Sequence, residues 1–344
     1  MVYLLLMTFI LSFLLTWILR RYALARNVLD VPNHRSAHAI PTPRGGGVAF
    51  VCTVLISILF LKKNALLTPD GSIALMMAGV FVASLGFLDD HGHIAPIWRL
   101  TGHFIASVLA LYWLGGFPSL MIFSWALPLG FFADVLGVLY LVWLINLYNF
   151  MDGIDGLAGV ELLCVCCGMS FIYWVCGGLD SLMVLPLVLS ASVTGFLCWN
   201  FPPARIFMGD AGSGFLGFIV GVLSIQASGI HPQFFWCWLI LLGVFIVDTT
   251  ITLGSRLLRL EKIYEAHSTH GYQYAARYFG RHLPVTLGVL VLNVAWLLPI
   301  AVAVGLEHLD GPLGLLMAYV PLVLLATWFN AGKRPDDETR VTTC

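Results

Sequence analysis

Five aspartates stand where long apolar runs give way to polar turns: Asp89 and Asp90 in GFLDDHGH, Asp152 and Asp155 in NLYNFMDGIDGLAG, and Asp210 in FPPARIFMGDAGSG. Carboxylates at a membrane boundary are expensive, and an ionisable group inside a bilayer is by default a functional one. The plainer job for an acid beside a helix start is capping, worth about 0.5–2 kcal/mol. Asp155 precedes Gly156, Leu157 and Ala158, and Asp210 precedes Ala211, Gly212 and Ser213. Capping does not account for Asp89 and Asp90, because adjacent negative charges at the carboxyl end of a helix oppose its dipole. Hard oxygen ligands gathered in this way suit a magnesium ion and a polyphosphate. Gly153, Gly156, Gly209, Gly212 and Gly214 let the backbone approach such a ligand closely. The chain contains neither GxxxxGKS nor GxxxxGKT, so an ATP-type phosphate loop is excluded.

Two further segments supply positive charge and hydrogen-bond donors. DVPNHRSAHAIPTPRGGG runs from Asp30 to Gly47, where Pro32, Pro41 and Pro43 stiffen the chain and Arg35, His38 and Arg44 can reach an anion. RLLRLEKIYEAHSTHGYQ runs from Arg256 to Gln273, with Arg256 and Arg259 at helical spacing and His267 and His270 three apart. The plainer readings are an ordinary basic loop and an amphipathic surface helix. Two histidines at this spacing could also ligate zinc. Glu265 lies two residues from His267 and points elsewhere on a helix, so a third ligand is missing and a hydrogen-bonding role is expected. Of the eight cysteines, seven sit within apolar runs, and no second Cys/His pair stands at zinc spacing, so free packing thiols are expected.

The elements that must hold these groups follow from composition. Of 344 residues, 60% are hydrophobic and 10% charged, with a mean hydropathy of +0.93, which excludes a water-soluble globular fold. Lys and Arg number 17 against 18 Asp and Glu, so there is no basic surface for nucleic acid. Crossing a bilayer takes about 20 helical residues with every backbone polar group bonded internally. Apolar runs place eleven spans near 2–19, 46–61, 73–88, 98–116, 130–150, 157–177, 182–200, 214–229, 234–254, 284–306 and 312–329. Positive charge follows the first run rather than preceding it and no small-residue cleavage site stands there, so that run reads as a retained span and not a signal peptide. With the amino end outside and the carboxyl end in the cytosol, 15 of the 17 basic residues fall on the cytosolic side, leaving Lys62 and Lys63 outside. The expectation is one all-α polytopic domain over 1–344, with cytosolic loops 20–45, 89–97, 151–156, 200–213 and 255–283.

PNHRSAHAIPTPRGGG, GFLDDHGH, NLYNFMDGIDGLAG, FPPARIFMGDAGSGFLG and HSTHGYQ, five ordered motifs over roughly residues 30–275, resemble the polyprenyl-phosphate N-acetylhexosamine-1-phosphate transferase superfamily. Within it the chain is most similar to the bacterial enzymes that initiate O-antigen on undecaprenyl phosphate. The translocase of peptidoglycan synthesis is more distant, having a denser late histidine cluster and a first-loop lysine pattern that this chain lacks. The resemblance implies transfer of sugar-1-phosphate from a UDP-N-acetylhexosamine to undecaprenyl phosphate, releasing UMP, at the cytosolic face of the bacterial inner membrane. It implies magnesium, with manganese as a substitute, held by Asp210 and Asp89, and puts Asp89 and Asp90 beside the lipid phosphate as the catalytic pair. Asn149, Asp152 and Asp155 would line the nucleotide and diphosphate site. His38, Arg44, Arg256, Arg259, His267 and His270 would bind substrate, and a second copy of the chain is a further partner. Whether Asp89 is a base, a metal ligand or a nucleophile stays open, as does the identity of the sugar.

A transporter or flippase is the rival from another class, sustained by Asp134, Glu161 and Asp248 within or near predicted spans. A transporter sets its acids near the midplane, whereas the five aspartates cluster at one face. A reporter fused after Lys63 is expected in the periplasm, and reporters in 89–97, 151–156 and 255–283 in the cytosol. A periplasmic signal from 151–156 breaks the shared-site reading.

Overall fold

The computed structural model describes residues 1–32, 40–92, 94–123, 125–261 and 268–333. The chain is an all-α integral membrane protein. In order come α1 (Val2–Ala25), α2 (Gly47–Lys63), α3 (Pro69–Gly92), α4 (Pro96–Leu114), α5 (Phe131–Met151), α6 (Leu157–Val175), α7 (Asp180–Asn200) and α8 (Asp210–Ile230). They are followed by α9 (Pro232–Leu241), α10 (Gly243–Leu258), α11 (Gly271–Phe279), α12 (Leu283–Leu292), α13 (Leu298–Gly305) and α14 (Gly311–Trp328). Two-residue strands β1 (Leu29–Asp30) and β2 (Thr42–Pro43) pair antiparallel ahead of α2, and β3 (Met121–Ile122) with β4 (Trp125–Ala126) ahead of α5.

Among the described residues nine helical spans are long and apolar enough to cross a membrane, α12 and α13 counting as one, and the pair α9 and α10 makes a tenth bent by 69°. That is at most ten of the eleven spans expected; α2, at the expected span 46–61, has 17 residues and is shorter than all of these. Proline marks several starts: Pro96 and Pro232 stand in the first turn of α4 and α9, where a missing N–H removes no intrahelical bond. Inside a helix the same residue disturbs the ladder. Pro299 cannot donate to the carbonyl four residues earlier, and the turn just before it, Asn293–Leu297, is a π turn joining α12 to α13.

Several expected boundaries shift in ways that bear on the site. The third span does not stop at residue 88: α3 runs to Gly92, so Asp89 and Asp90 ride on its last turns rather than in a loop at 89–97. Asp210 is likewise the first residue of α8 and not the tail of a loop at 200–213. The expected straight span 234–254 is broken at Leu242, and the segment 255–283 carries the short helix α11.

α8 is the central post: 83% of its apolar window is buried, against 17% for α1. It packs against α3 and α5 and touches α2 and α9. Association of helices in lipid rests on close van der Waals contact, which favours small residues. A Cβ at Gly217 would lie 2.2 Å from the Leu144 carbonyl oxygen of α5, so only glycine permits that crossing. α1 instead turns Tyr3, Met7, Ile10 and Ile18 outward to lipid. The seven described cysteines are all free, as expected. Gly217→Val should force α5 from α8 and cost about 1–3 kcal/mol, read as a lower melting temperature in detergent. Gly288→Ala, at a position with open space around it, should leave that temperature unchanged.

Candidate functional site

The site is built where the end of α3 meets the start of α8. The first N–H groups of a helix have no partner within it and attract anions. Asp90 supplies both: Oδ1 accepts the Asp210 N–H at 2.9 Å and Oδ2 the Ala211 N–H at 3.2 Å. Asp90 is therefore a cap, but of a helix 120 residues away. Gly209, at φ +79°, makes the approach possible, since a Cβ there would stand 2.7 Å from Asp90 Oδ2.

Capping by Asp90 frees the Asp210 side chain to turn outward between two guanidinium groups. Arg44 Nη2 lies 2.5 Å from Asp210 Oδ1 and 3.0 Å from Asp90 Oδ1. Arg99, from the first turn of α4, lies 3.0 Å from Asp210 Oδ2 and pairs also with Asp89 Oδ2. Asp89 Oδ1 accepts the Ile94 N–H at 2.7 Å. Three carboxylates and two arginines thus form one chain of ion pairs across α3, α4, α8 and the segment before α2. Burial pulls the Arg44 guanidinium pKa down, but Asp210, Asp90 and Asp30 raise it further, so its charge is fixed. Sequence reasoning used Arg99 only to orient the chain, although it stands ten residues beyond Asp89 in the same polar turn.

Beside this chain opens a polar cavity of about 260 Å³, lined among others by Arg44, Asn149, Asp152, Asp155, Phe207 and Asp210. The turn between α5 and α6 supplies Asp152 and Asp155, and the last turn of α5 supplies Asn149. The Asp152 N–H donates to the Asn149 carbonyl at 3.4 Å, while its carboxylate makes no hydrogen bond or ion pair among the described residues. Burial, then the nearby charge of Asp210, pushes its carboxyl well above the usual carboxylate range, against the pull of Arg44. Asp155 does not cap α6. Its Oδ2 accepts the Ala204 N–H at 2.9 Å and its Oδ1 meets His282 Nδ1 at 3.1 Å, while Asn200 Oδ1 takes the Gly156 N–H at 3.1 Å. Gln273, the last residue of the HSTHGYQ motif, lines the cavity as well, as do His282 and Asn200, which belong to no motif in the sequence.

The late basic segment is placed differently. Arg259 bonds Glu261 Oε1 at 2.9 Å and the Gly332 carbonyl, and the buried Arg256 lies 3.4 Å from Glu261 Oε2. His270 is not on a helix face: it is the extended residue ahead of α11, and its Nδ1 lies 3.1 Å from Asp248 Oδ1. Asp248 also accepts the Gly271 and Tyr272 N–H groups at 3.0 and 2.8 Å, and Tyr272 donates its hydroxyl to the Phe150 carbonyl at 2.9 Å. These contacts dock α11 against the end of α5. None of Arg256, Arg259 and His270 is among the residues lining the cavity. His38, Arg35 and His267 lie outside the described residues. Of the acids that sustained the transporter rival, Asp248 is thus occupied in docking α11, and Asp134 Oδ1 accepts the Phe117 N–H at 2.8 Å.

In donor chemistry the cavity wall fits a hard divalent cation, since Asp152 and Asp210 offer carboxylate oxygens and Asn149 an amide oxygen. Among the described residues no three His, Cys, Asp or Glu side chains are assembled around a metal position. The arginines instead neutralise the acids, and Arg99 stands between Asp89 and Asp210.

Comparison with known proteins matches residues 72–228 to glycosyl transferase family 4, a stretch that runs from α3 to α8 and holds all five aspartates. A probable undecaprenyl-phosphate N-acetylglucosaminyl 1-phosphate transferase of Bacillus subtilis (strain 168) is 30% identical over 264 residues, 75% of this chain and 72% of that protein. A phospho-N-acetylmuramoyl-pentapeptide-transferase of Streptococcus pneumoniae serotype 19F (strain G54) is 30% identical over 255 residues, 68% of this chain and 76% of that protein. Matched on the segment that carries its aspartates and along most of its length, the chain belongs to glycosyl transferase family 4, within the polyprenyl-phosphate hexosamine-1-phosphate transferase superfamily.

Proposed function

We propose that the chain transfers N-acetylhexosamine-1-phosphate from a UDP-sugar to undecaprenyl phosphate, on the cytosolic face of a bacterial inner membrane, as the first membrane step of a cell-surface glycan. The observation that carries this is the ion-pair chain beside the cavity, in which Arg44 and Arg99 hold Asp210 between Asp90 and Asp89, with Arg44 and Asp210 lining the cavity together with Asp152. The names of the relatives supply undecaprenyl phosphate and an N-acetylated sugar phosphate. The motif pattern favours O-antigen as the glycan over a peptide-bearing sugar.

An oxygen of the lipid phosphate attacks the phosphorus that bears the sugar. The bond to the uridylyl phosphate breaks, and UMP leaves with the bonding electrons. Two anions must meet, so the chief task is to cancel their repulsion, the general pattern of phosphoryl transfer. Arg44 and Arg99 are already desolvated in part and fixed by carboxylates, so they can turn to phosphate oxygens without first being ordered. Asn149, Asp152 and Asp155 orient the donor in the cavity. Asp90 holds Asp210 in place, and Asp89 anchors Arg99. A phosphate monoester has its second pKa near about 6, so the nucleophile needs no strong base at neutral pH. Asp210, with Asp152 and Asn149 facing the same cavity, would hold magnesium, which when bound adds positive charge against the diphosphate; Asp89 could join them only where Arg99 gives way.

Membranes holding the protein should convert labelled UDP-N-acetylhexosamine to a lipid-soluble product with release of UMP. EDTA should stop this and magnesium restore it without zinc. Absence of product with every UDP-N-acetylhexosamine tried refutes the reading. Asp210→Asn keeps the bonds from Asp90 to the α8 backbone, so it should lower turnover about 10²–10³-fold with little change in stability. Asp90→Ala removes a cap and should in addition lower stability by about 0.5–2 kcal/mol, measured by thermal unfolding in detergent.

A further inference from the structure

Glu161 lies one turn into α6, fully buried in the interior of the helical bundle. Its Oε2 accepts a 2.7 Å hydrogen bond from Asn293 Nδ2, at the head of the π turn that follows α12. The Phe245 N–H, in the unsatisfied first turn of α10 after the break at Leu242, faces the same carboxyl. Glu161 Oε1, Asn293 Oδ1 and the Tyr148 hydroxyl are buried with no hydrogen-bond partner among the described residues. Such orphaned buried groups are rare and call for a specific explanation.

One proton resolves most of it. The ionisable groups facing Glu161 are Tyr148 from α5, Cys164 on its own helix and Tyr319 from α14, each neutral in its ordinary form. No cation is among them, so an ionised Glu161 would be a buried charge without a counter-ion, the costliest case in a membrane. As a carboxylic acid, Oε1 gains a hydrogen to donate, and Asn293 Oδ1 is an acceptor lacking one.

The clasp has a second end. His282 just ahead of α12, Thr286 within it and Asn293 just after it stand at helical spacing on one face. His282 meets the Asp155 carboxylate at 3.1 Å, and Thr286 Oγ1 donates to the Asp155 carbonyl at 2.9 Å. Asn293 takes Glu161 two turns deeper. We infer that Glu161 is kept as a neutral acid and acts, through Asn293, as a positioning residue that locks the Asp152–Gly156 turn between α6 and α12 for donor binding. The binding part of this inference rests on the proposed transferase reading; the protonation part does not.

The full-length protein in lipid nanodiscs tests both. Infrared spectra should contain the carbonyl stretch of a protonated carboxylic acid at pH 7 and pH 8 that disappears in Glu161→Gln. Glutamine mimics the neutral acid and can pair with Asn293 through both its amide atoms, so KM and kcat should stay within about twofold of the parent. Glu161→Leu keeps bulk but ends the pairing, and should raise the donor KM about tenfold with kcat within about threefold. Amide hydrogen exchange at 152–160 should quicken in the leucine variant and not in the glutamine variant. Should leucine prevent folding at 161, Asn293→Leu cuts the same bond from the other side. Absence of the acid band in the parent, or equal damage by glutamine and leucine, overturns the inference. A parent that turns over no UDP-sugar yet has the band and the exchange pattern sinks the transferase reading alone.

Discussion

A helix that starts inside a low-dielectric bundle brings backbone N–H groups that must find an acceptor, and at α8 that acceptor is Asp90. This one contact decides much of what surrounds it. It fixes the depth of α3 against α8 and spares Asp210 from capping its own helix. It also draws Arg44 to the same corner. Had Asp210 capped its own helix, its carboxylate would face backbone rather than the cavity.

The charges of the site are paired before any substrate arrives, three carboxylates to two arginines. Each arginine is held by two carboxylates and each of the three aspartates touches at least one arginine. Exposed ion pairs are worth little because water competes, but here the carboxylates are largely buried, and an arginine that lost both its partners would be left as an unpaired charge. An incoming phosphate or cation is such a replacement. The network is therefore best understood as a preorganised exchange site, in which partners swap while the total burden of buried charge stays nearly constant.

The all-α membrane class was fully legible, because hydropathy alone demands it, and so were the aspartates, because acids beside apolar runs are conspicuous. What escaped was every relation between distant segments. The rule that adjacent acids oppose their own helix dipole is sound for Asp89 and Asp90, yet it is silent about a neighbour whose positive end lies alongside. Asp155 looked like a cap for α6 and serves the chain at Ala204 instead. His270, expected to hydrogen-bond substrate from a helix face, is tied instead to Asp248, which had seemed a candidate transport residue. His282 drew no notice because a single histidine after an arginine has no pattern, and only the packing of α12 brings it to Asp155.

α1 is the least buried of the nine spans, and its 24 residues make a rod of about 36 Å, longer than a hydrocarbon core of about 30 Å. Such a helix meets the mismatch by tilting, further in a thinner bilayer. Its end is not free to drift. Val28 accepts the Arg44 N–H through its carbonyl, β1 pairs with β2 just ahead of Arg44, and Arg20 reaches the Arg205 carbonyl near the start of α8. The end of the least buried span is thereby tied, through β1 and β2, to the guanidinium that holds Asp210.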